Sequence, residues 1–203
     1  EALALDPDSA VAWYDRGISL ANMRKIDDAI ESYEQALTIN PKYVDAWFNK
    51  GLLYSDLNMD EKALRCYEKT IELNPRDADA FNNIGLIHNK KSEFARAINW
   101  YDRALIADEK YYRAWYNKAI AYERLENERE ALNCYEMALS IKPDYYSALN
   151  NKGLIYYNRK EFKKAIEFFD GAISANHSYA KAYYNKGLRS EERRVGKECT
   201  SVC

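Results

Sequence analysis

The residues best suited to chemistry in this 203-residue chain are asparagines that return at a fixed interval. A carboxamide offers a hydrogen-bond donor and an acceptor, so it can pair with both backbone groups of an extended peptide, whatever the sequence of that peptide. The asparagines that share the 34-residue spacing are Asn49, Asn83, Asn117, Asn151 and Asn185. Ligand contact is the favoured interpretation. The alternative is that these side chains are solvated or bond to neighbouring helices.

Residues that could support catalysis or hold a metal are scarce. The chain has two histidines. His88 occupies a helix position and His177 a turn, so a structural role is expected for both. Cys199 and Cys203 lack a second pair of ligands, so no zinc site is expected. There is no glycine-rich phosphate loop, nucleophile elbow or His-Glu-x-x-His helix. We therefore expect no catalytic residue, no metal and no cofactor, in a chain that is not an enzyme.

Composition narrows the class of partner. The net charge is -2, whereas a general nucleic-acid binder is expected to be basic, so no nucleic acid is predicted. No stretch approaches 18 consecutive apolar residues, and the first residues lack a basic signal-peptide segment, so no membrane association is predicted either. Cys66 and Cys134 recur at the same place two periods apart and are interpreted as small buried hydrophobes. Such cysteines favour a reduced, cytoplasmic compartment.

The elements that must position the asparagines follow from the same period. With position 1 at Ala10, position 3 is alanine in all six units. Position 8 is small, and its residues are Gly17, Gly51, Gly85, Ala119, Gly153 and Gly187. Position 24 is aromatic, and its residues are Tyr33, Tyr67, Tyr101, Tyr135 and Phe169. Apolar residues at helical spacing on both sides of a short polar stretch predict two helices per unit. The small residues allow these helices to approach closely, and a large ring fills the adjoining gap.

This pattern resembles the tetratricopeptide repeat, a 34-residue helical repeat. The resemblance implies an all-α fold, a right-handed α-solenoid of antiparallel helix pairs, also called a TPR superhelix. The expected divisions are the end of a preceding unit at 1–9, full units at 10–43, 44–77, 78–111, 112–145 and 146–179, and the start of a truncated unit at 180–188. Residues 189–203 abandon the pattern and are interpreted as a non-native tail.

The resemblance also implies a binding surface, because the first helices of this family line a concave groove that holds a protein or peptide ligand. The asparagine series resembles the asparagine ladder of protein O-linked N-acetylglucosamine transferases. Besides the asparagines, the residues expected to line the groove are Tyr14, Phe48, Tyr116, Tyr157, Tyr184, Arg113 and Lys181. The family's clamp for acidic chaperone tails is not matched, because Phe48 and Leu52 replace its first pair of polar residues.

The leading functional hypothesis is a non-catalytic scaffold that binds an extended peptide or a partner helix in the concave groove. An alternative is the substrate-recruiting region of a larger enzyme, such as a glycosyltransferase, truncated before its catalytic domain. A third hypothesis is self-association through the ends of the array.

Overall fold

The computed structural model describes residues 8–187, which contain helices and no strand. The helices are α1 (Ala10–Asn22), α2 (Ile26–Ile39), α3 (Val44–Asp56), α4 (Asp60–Leu73), α5 (Ala78–Lys90), α6 (Phe94–Ala107), α7 (Tyr112–Arg124), α8 (Glu128–Ile141), α9 (Tyr146–Asn158) and α10 (Phe162–Ala175). Residues 180–187 are also helical. The prediction of an all-α fold is confirmed. The expectations for residues 1–7 and for the tail at 189–203 lie outside the described residues.

Within residues 8–187 the chain forms two compact units, which divide between Glu109 and Lys110. In the first unit α1 packs on α2, α3 on α4 and α5 on α6, and the pairs are joined by contacts of α2 with α3 and of α4 with α5. In the second unit α7 packs on α8, α9 packs on α10, and α8 contacts α9. Each unit is therefore a stack of helix pairs, as the sequence predicts.

The two helices of a pair meet where position 8 faces the ring at position 24. A Cβ added to Gly85 would lie 2.5 Å from Cε1 of Tyr101, and one added to Gly153 would lie 2.6 Å from Cε1 of Phe169. Both distances are shorter than a van der Waals contact. The rings are themselves inaccessible, with Tyr101 0% and Phe169 1% exposed. Glycine inside a helix costs roughly 0.5–1 kcal/mol relative to alanine, and the close packing that it permits offsets this cost.

The first helix of each of the five helix pairs in residues 8–187 ends in the same turn. Its residue at position 15 is left-handed, and these residues are Arg24, Asn58, Ser92, Glu126 and Lys160. In the first repeat, the backbone N–H of Arg24 donates to the carbonyl of Ala21 and that of Lys25 to the carbonyl of Leu20, both at 2.9 Å. This pair of bonds is a Schellman motif, which satisfies the last carbonyls of the helix and reverses the chain.

The lysines at position 7 join successive repeats. Nζ of Lys50 lies 2.8 Å from Glu34, and Nζ of Lys152 lies 2.9 Å from Glu136. In both pairs the carboxylate belongs to the second helix of the preceding repeat. The side chains of Lys50 and Lys152 are only 12% and 10% exposed. The carboxylates are more than half exposed, so these pairs fix the register between repeats rather than contribute much stability.

Ala97→Leu is expected to destabilise the protein by roughly 1–3 kcal/mol, because it overpacks a fully buried site at the contact between α5 and α6. Urea unfolding measures the loss. Ala95→Leu is the matched control, since Ala95 is exposed on the same helix and its replacement should change stability by no more than about 0.5 kcal/mol. Hydrogen exchange should locate the lost protection mainly in α5, α6 and their neighbour α4. Equal loss along the whole first unit contradicts this mechanism.

Candidate functional site

The first unit has a cleft of about 570 Å³ between α1 and α3. Asn49, Leu52 and Asp56 line it from α3, where their spacing of three and four residues places them on one helix face. Ile18 and Asn22 line it from α1. Leu52 is 36% exposed, so an aliphatic side chain and a carboxamide face this cleft together.

The second unit has a cleft of about 420 Å³ in the same register, between α7 and α9. Asn151, Leu154 and Asn158 line it from α9, and they occupy the same repeat positions as Asn49, Leu52 and Asp56. The charges differ between the two clefts. Arg24 and Asp56 line the first cleft, whereas the acidic residues Glu123, Glu126 and Glu128 line the second.

Three of the predicted asparagines bond to the preceding repeat through a common register. Nδ2 of Asn49 donates to the hydroxyl of Tyr14 at 2.9 Å. Nδ2 of Asn151 donates to the hydroxyl of Tyr116 at 3.4 Å. Nδ2 of Asn185 donates to Oδ1 of Asn150 at 2.8 Å. In each case position 6 of one repeat contacts position 5 of the repeat before it, so these carboxamides also have a structural role.

The other two predicted asparagines lie at the same helix position. Asn83 and Asn117 are half-buried on α5 and α7. Asn83 lies near the hydroxyl of Tyr67, whose pKa is raised by burial. Thus the five asparagines share a helix position, but the partners of their side chains vary along the chain.

The remaining predicted residues divide into packed and exposed groups. Phe48 packs on Tyr67 with ring centroids 5.8 Å apart, and Tyr157 meets Phe162 edge-on at 5.6 Å. Tyr184 is 68% exposed on the segment 180–187. Two predicted cations, Arg113 and Lys181, are also exposed. Nε of Arg113 donates to the hydroxyl of Tyr112 at 3.2 Å, so this guanidinium is oriented by its own helix.

A series of tyrosine contacts in the second unit was not predicted. Tyr145 packs on Tyr112 and on Tyr116 with centroid distances of 5.0 Å each, and Tyr146 packs on Tyr179 at 4.7 Å. The signal was present in the sequence, because tyrosine occupies the last position of four repeats, at Tyr43, Tyr111, Tyr145 and Tyr179. These half-buried rings, with polar tips, lie next to the predicted position-5 residues.

Glu123 also lines the cleft between α7 and α9, although it is not among the residues named above for the groove. Burial raises the pKa of its carboxyl to about 7, and the charge of Glu128 adds to the increase. A hydrogen bond from the hydroxyl of Tyr135 opposes it. The same hydroxyl accepts from Nδ2 of Asn151 at 3.1 Å, so Glu123, Tyr135 and Asn151 form a connected polar group at the cleft of the second unit.

No group of three or more metal-binding side chains is found in residues 8–187. Within the same residues, none of the helices combines the length and the apolar character that a membrane crossing requires.

Comparison with solved structures gives several chains of similar fold. The crystal structure of MamA is 25% identical, with a TM-score of 0.71, and the match covers 81% of this chain and 96% of MamA. The structure of pilF from Pseudomonas aeruginosa is 17% identical, with a TM-score of 0.79, covering 93% of this chain and 87% of pilF. YrrB, described as a TPR protein with an unusual peptide-binding site, is 21% identical, with a TM-score of 0.68, covering 92% of this chain and 96% of YrrB.

Comparison with curated protein sequences gives no match. Models of the tetratricopeptide repeat match residues 10–43, 44–77 and 112–145, a second model matches 61–112, and a third matches 146–179. The matches to 10–43, 44–77, 112–145 and 146–179 each span one helix pair, and together the matches cover most of the chain. Repeats of this kind support a role as a protein-interaction scaffold. The chain belongs to the tetratricopeptide repeat family.

Proposed function

We propose that this chain is a non-catalytic scaffold whose two clefts, between α1 and α3 and between α7 and α9, hold an extended peptide segment or a helix of a partner protein. Membership of the tetratricopeptide repeat family supports binding of a protein or peptide. YrrB, a protein of similar fold, is described as having an unusual peptide-binding site.

The observation that carries the proposal is the equivalence of the two clefts. Both units have an opening at the same repeat positions, with an asparagine at position 6 and an aliphatic residue at position 9. Volumes of about 570 and 420 Å³ fall within the range of ligand pockets, roughly 300–1,000 Å³. An aliphatic surface beside a carboxamide suits a peptide, because the side chains of the peptide can cover the leucine while its backbone bonds to the amide.

The asparagines can have both a structural and a binding role. Nδ2 of Asn49 donates to the hydroxyl of Tyr14, and its Oδ1 can accept from a backbone N–H of a ligand. Asn151 donates to two tyrosine hydroxyls, and its Oδ1 accepts from Nδ2 of Asn150 at 3.3 Å. A carbonyl oxygen has two lone pairs, so Oδ1 of Asn151 keeps one of them for a ligand. We therefore expect Oδ1 of each asparagine to accept a hydrogen bond from the ligand.

Leu52→Asp is expected to weaken peptide binding at least about tenfold, because it places a charge on the apolar wall of the first cleft. The ligands for this test are peptides selected on the intact chain from a random display library, and calorimetry measures their affinity. Leu57→Asp is the matched control, since Leu57 is 42% exposed at the end of α3 and does not line the cleft. Equal affinity of both variants contradicts the proposal.

Asn151→Ala is expected to cost roughly 1–3 kcal/mol of stability, since it removes a donor from the fully buried Tyr135. Asn49→Ala should cost less, because its partner Tyr14 is only half-buried. Denaturant unfolding measures both changes.

Asn49→Ala should also weaken binding of a selected peptide that occupies the first cleft. A large stability loss with no change in affinity would assign the asparagines a structural role alone.

The stability of the protein should depend on the ionisation of Glu123. Its folded-state pKa of about 7 lies above the ordinary glutamate pKa of 4.5, so the unfolded chain releases the proton first as the pH rises. Folding stability attributable to Glu123 therefore decreases between about pH 5 and pH 8, by on the order of 1–3 kcal/mol. Unfolding of Glu123→Gln and of the parent chain at both pH values measures this difference. A constant difference between the two proteins would show that Glu123 titrates normally.

A further inference from the structure

A small basic cavity of about 260 Å³ lies in the first unit, away from the cleft described above. Arg76 lines it from the turn between α4 and α5, and Arg103 and Ile106 line it from α6. Phe81 forms its base on α5. Phe81 and Asn83 are two residues apart on this helix, about 200° around its axis, so the cavity lies on the opposite side of α5 from the asparagine series.

The guanidinium of Arg103 is held against two aromatic rings. Its central carbon lies 4.4 Å from the ring centroid of Phe81 and 4.5 Å from that of Trp100. The rings stack on one another with centroids 6.1 Å apart and an interplanar angle of 27°. Contacts between a guanidinium and aromatic faces are attractive, and they restrict the side chain before any ligand arrives. The planar, forked donors of arginine suit a carboxylate.

No acidic side chain lines this cavity, and neither arginine has an ion pair within residues 8–187. Asp77, which follows Arg76 in the sequence, caps α5 by accepting from the backbone N–H of Ala80 at 2.9 Å. It also accepts from Nδ2 of Asn74 at 3.1 Å. The cavity thus has two arginines and no acidic side chain among its lining residues.

The side chains at the equivalent positions of the preceding repeat differ from those of the basic cavity. Lys69 occupies the position of Arg103, and Glu72 occupies that of Ile106. Nζ of Lys69 lies 2.5 Å from Oε2 of Glu72, so that repeat supplies its own counter-ion. At the basic cavity the carboxylate is replaced by Ile106, which is 81% exposed and is the most exposed of the large hydrophobic side chains in the described residues.

We infer that this cavity, with Arg76, Arg103 and Ile106, is a second docking surface, which binds an acidic segment of a partner protein. A glutamate or aspartate of the partner accepts from the two guanidinium groups, and an aliphatic side chain next to it covers Ile106. Charge complementarity with the arginines requires a negatively charged ligand. The exposed isoleucine favours an apolar residue next to the acidic one. The surface extends beyond the proposed function, because it is separate from the two clefts.

The test uses the intact chain and a short fluorescent peptide in which glutamates flank a central leucine, with binding followed by anisotropy. Arg76→Gln and Arg103→Gln should each lower the affinity at least about fivefold, because each removes a charge-assisted hydrogen bond. Lys69→Gln is the matched control and should leave the affinity unchanged. A peptide with glutamine in place of glutamate should not bind. Added salt should weaken the binding of the acidic peptide.

Arg103→Gln also removes ring contacts, so its thermal unfolding is measured alongside binding. Arg76→Gln leaves these rings untouched and keeps the test independent of folding. Leu52→Asp should not alter binding of the acidic peptide, which separates this surface from the cleft between α1 and α3. The inference is overturned if the parent chain does not bind the acidic peptide, or if it binds only a version with phosphoserine in place of glutamate. It is also overturned if Lys69→Gln lowers the affinity as much as the arginine variants do, or if Leu52→Asp abolishes binding.

Discussion

The contact between position 8 and the ring at position 24 is the constraint on which the rest of each unit depends. It fixes the separation of the two helices in a pair, because a Cβ on Gly17 would lie 2.5 Å from Cε1 of Tyr33. A fixed separation leaves the opposite face of the first helix, with Asn49 and Leu52, turned away from its pair. The side of the first helix that meets its own pair therefore differs from the side with Asn49 and Leu52, which faces the preceding repeat and the cleft. Ala119 shows that the fourth repeat accommodates one extra methyl group, so the contact tolerates small residues rather than glycine alone.

The helix pairs could be predicted from the sequence because the residues that form them repeat with little variation. The backbone conformation of the turn between the two helices of a pair could not be predicted in the same way. Left-handed backbone usually costs roughly 1–2 kcal/mol outside glycine, and only Asn58 among the five left-handed residues is of a type that favours it. Arg24 and Lys160 adopt the conformation because the helix-ending hydrogen bonds and the packing of the next helix require it. No local sequence preference reveals this.

The candidate site was predicted less completely than the fold, and the reason is physical. Position in a repeat determines the face on which an asparagine lies, but its hydrogen bonds depend on the residue of the preceding repeat. Asn49 faces Tyr14, whereas Asn185 faces Asn150, so one helix position has two different partners. The pKa of Glu123 is similarly set by burial near Tyr135 and by Glu128, which are separate from it in the sequence. Such properties arise from packing, and a periodic pattern does not contain them.

Variation between repeats is therefore where specificity can arise in this chain. Residues that form the helix contacts are restricted, so Ala46, Ala80 and Ala148 are alike and fully buried. Residues outside these contacts are free to differ, and the two clefts already differ in charge at Arg24 and Glu126. The change from Glu72 to Ile106 at one repeat position replaces the carboxylate of an ion pair by an exposed isoleucine. In the docking proposed for this surface, a repeat fold acquires a binding surface by losing a counter-ion, because the packing that holds the helices together does not involve that residue.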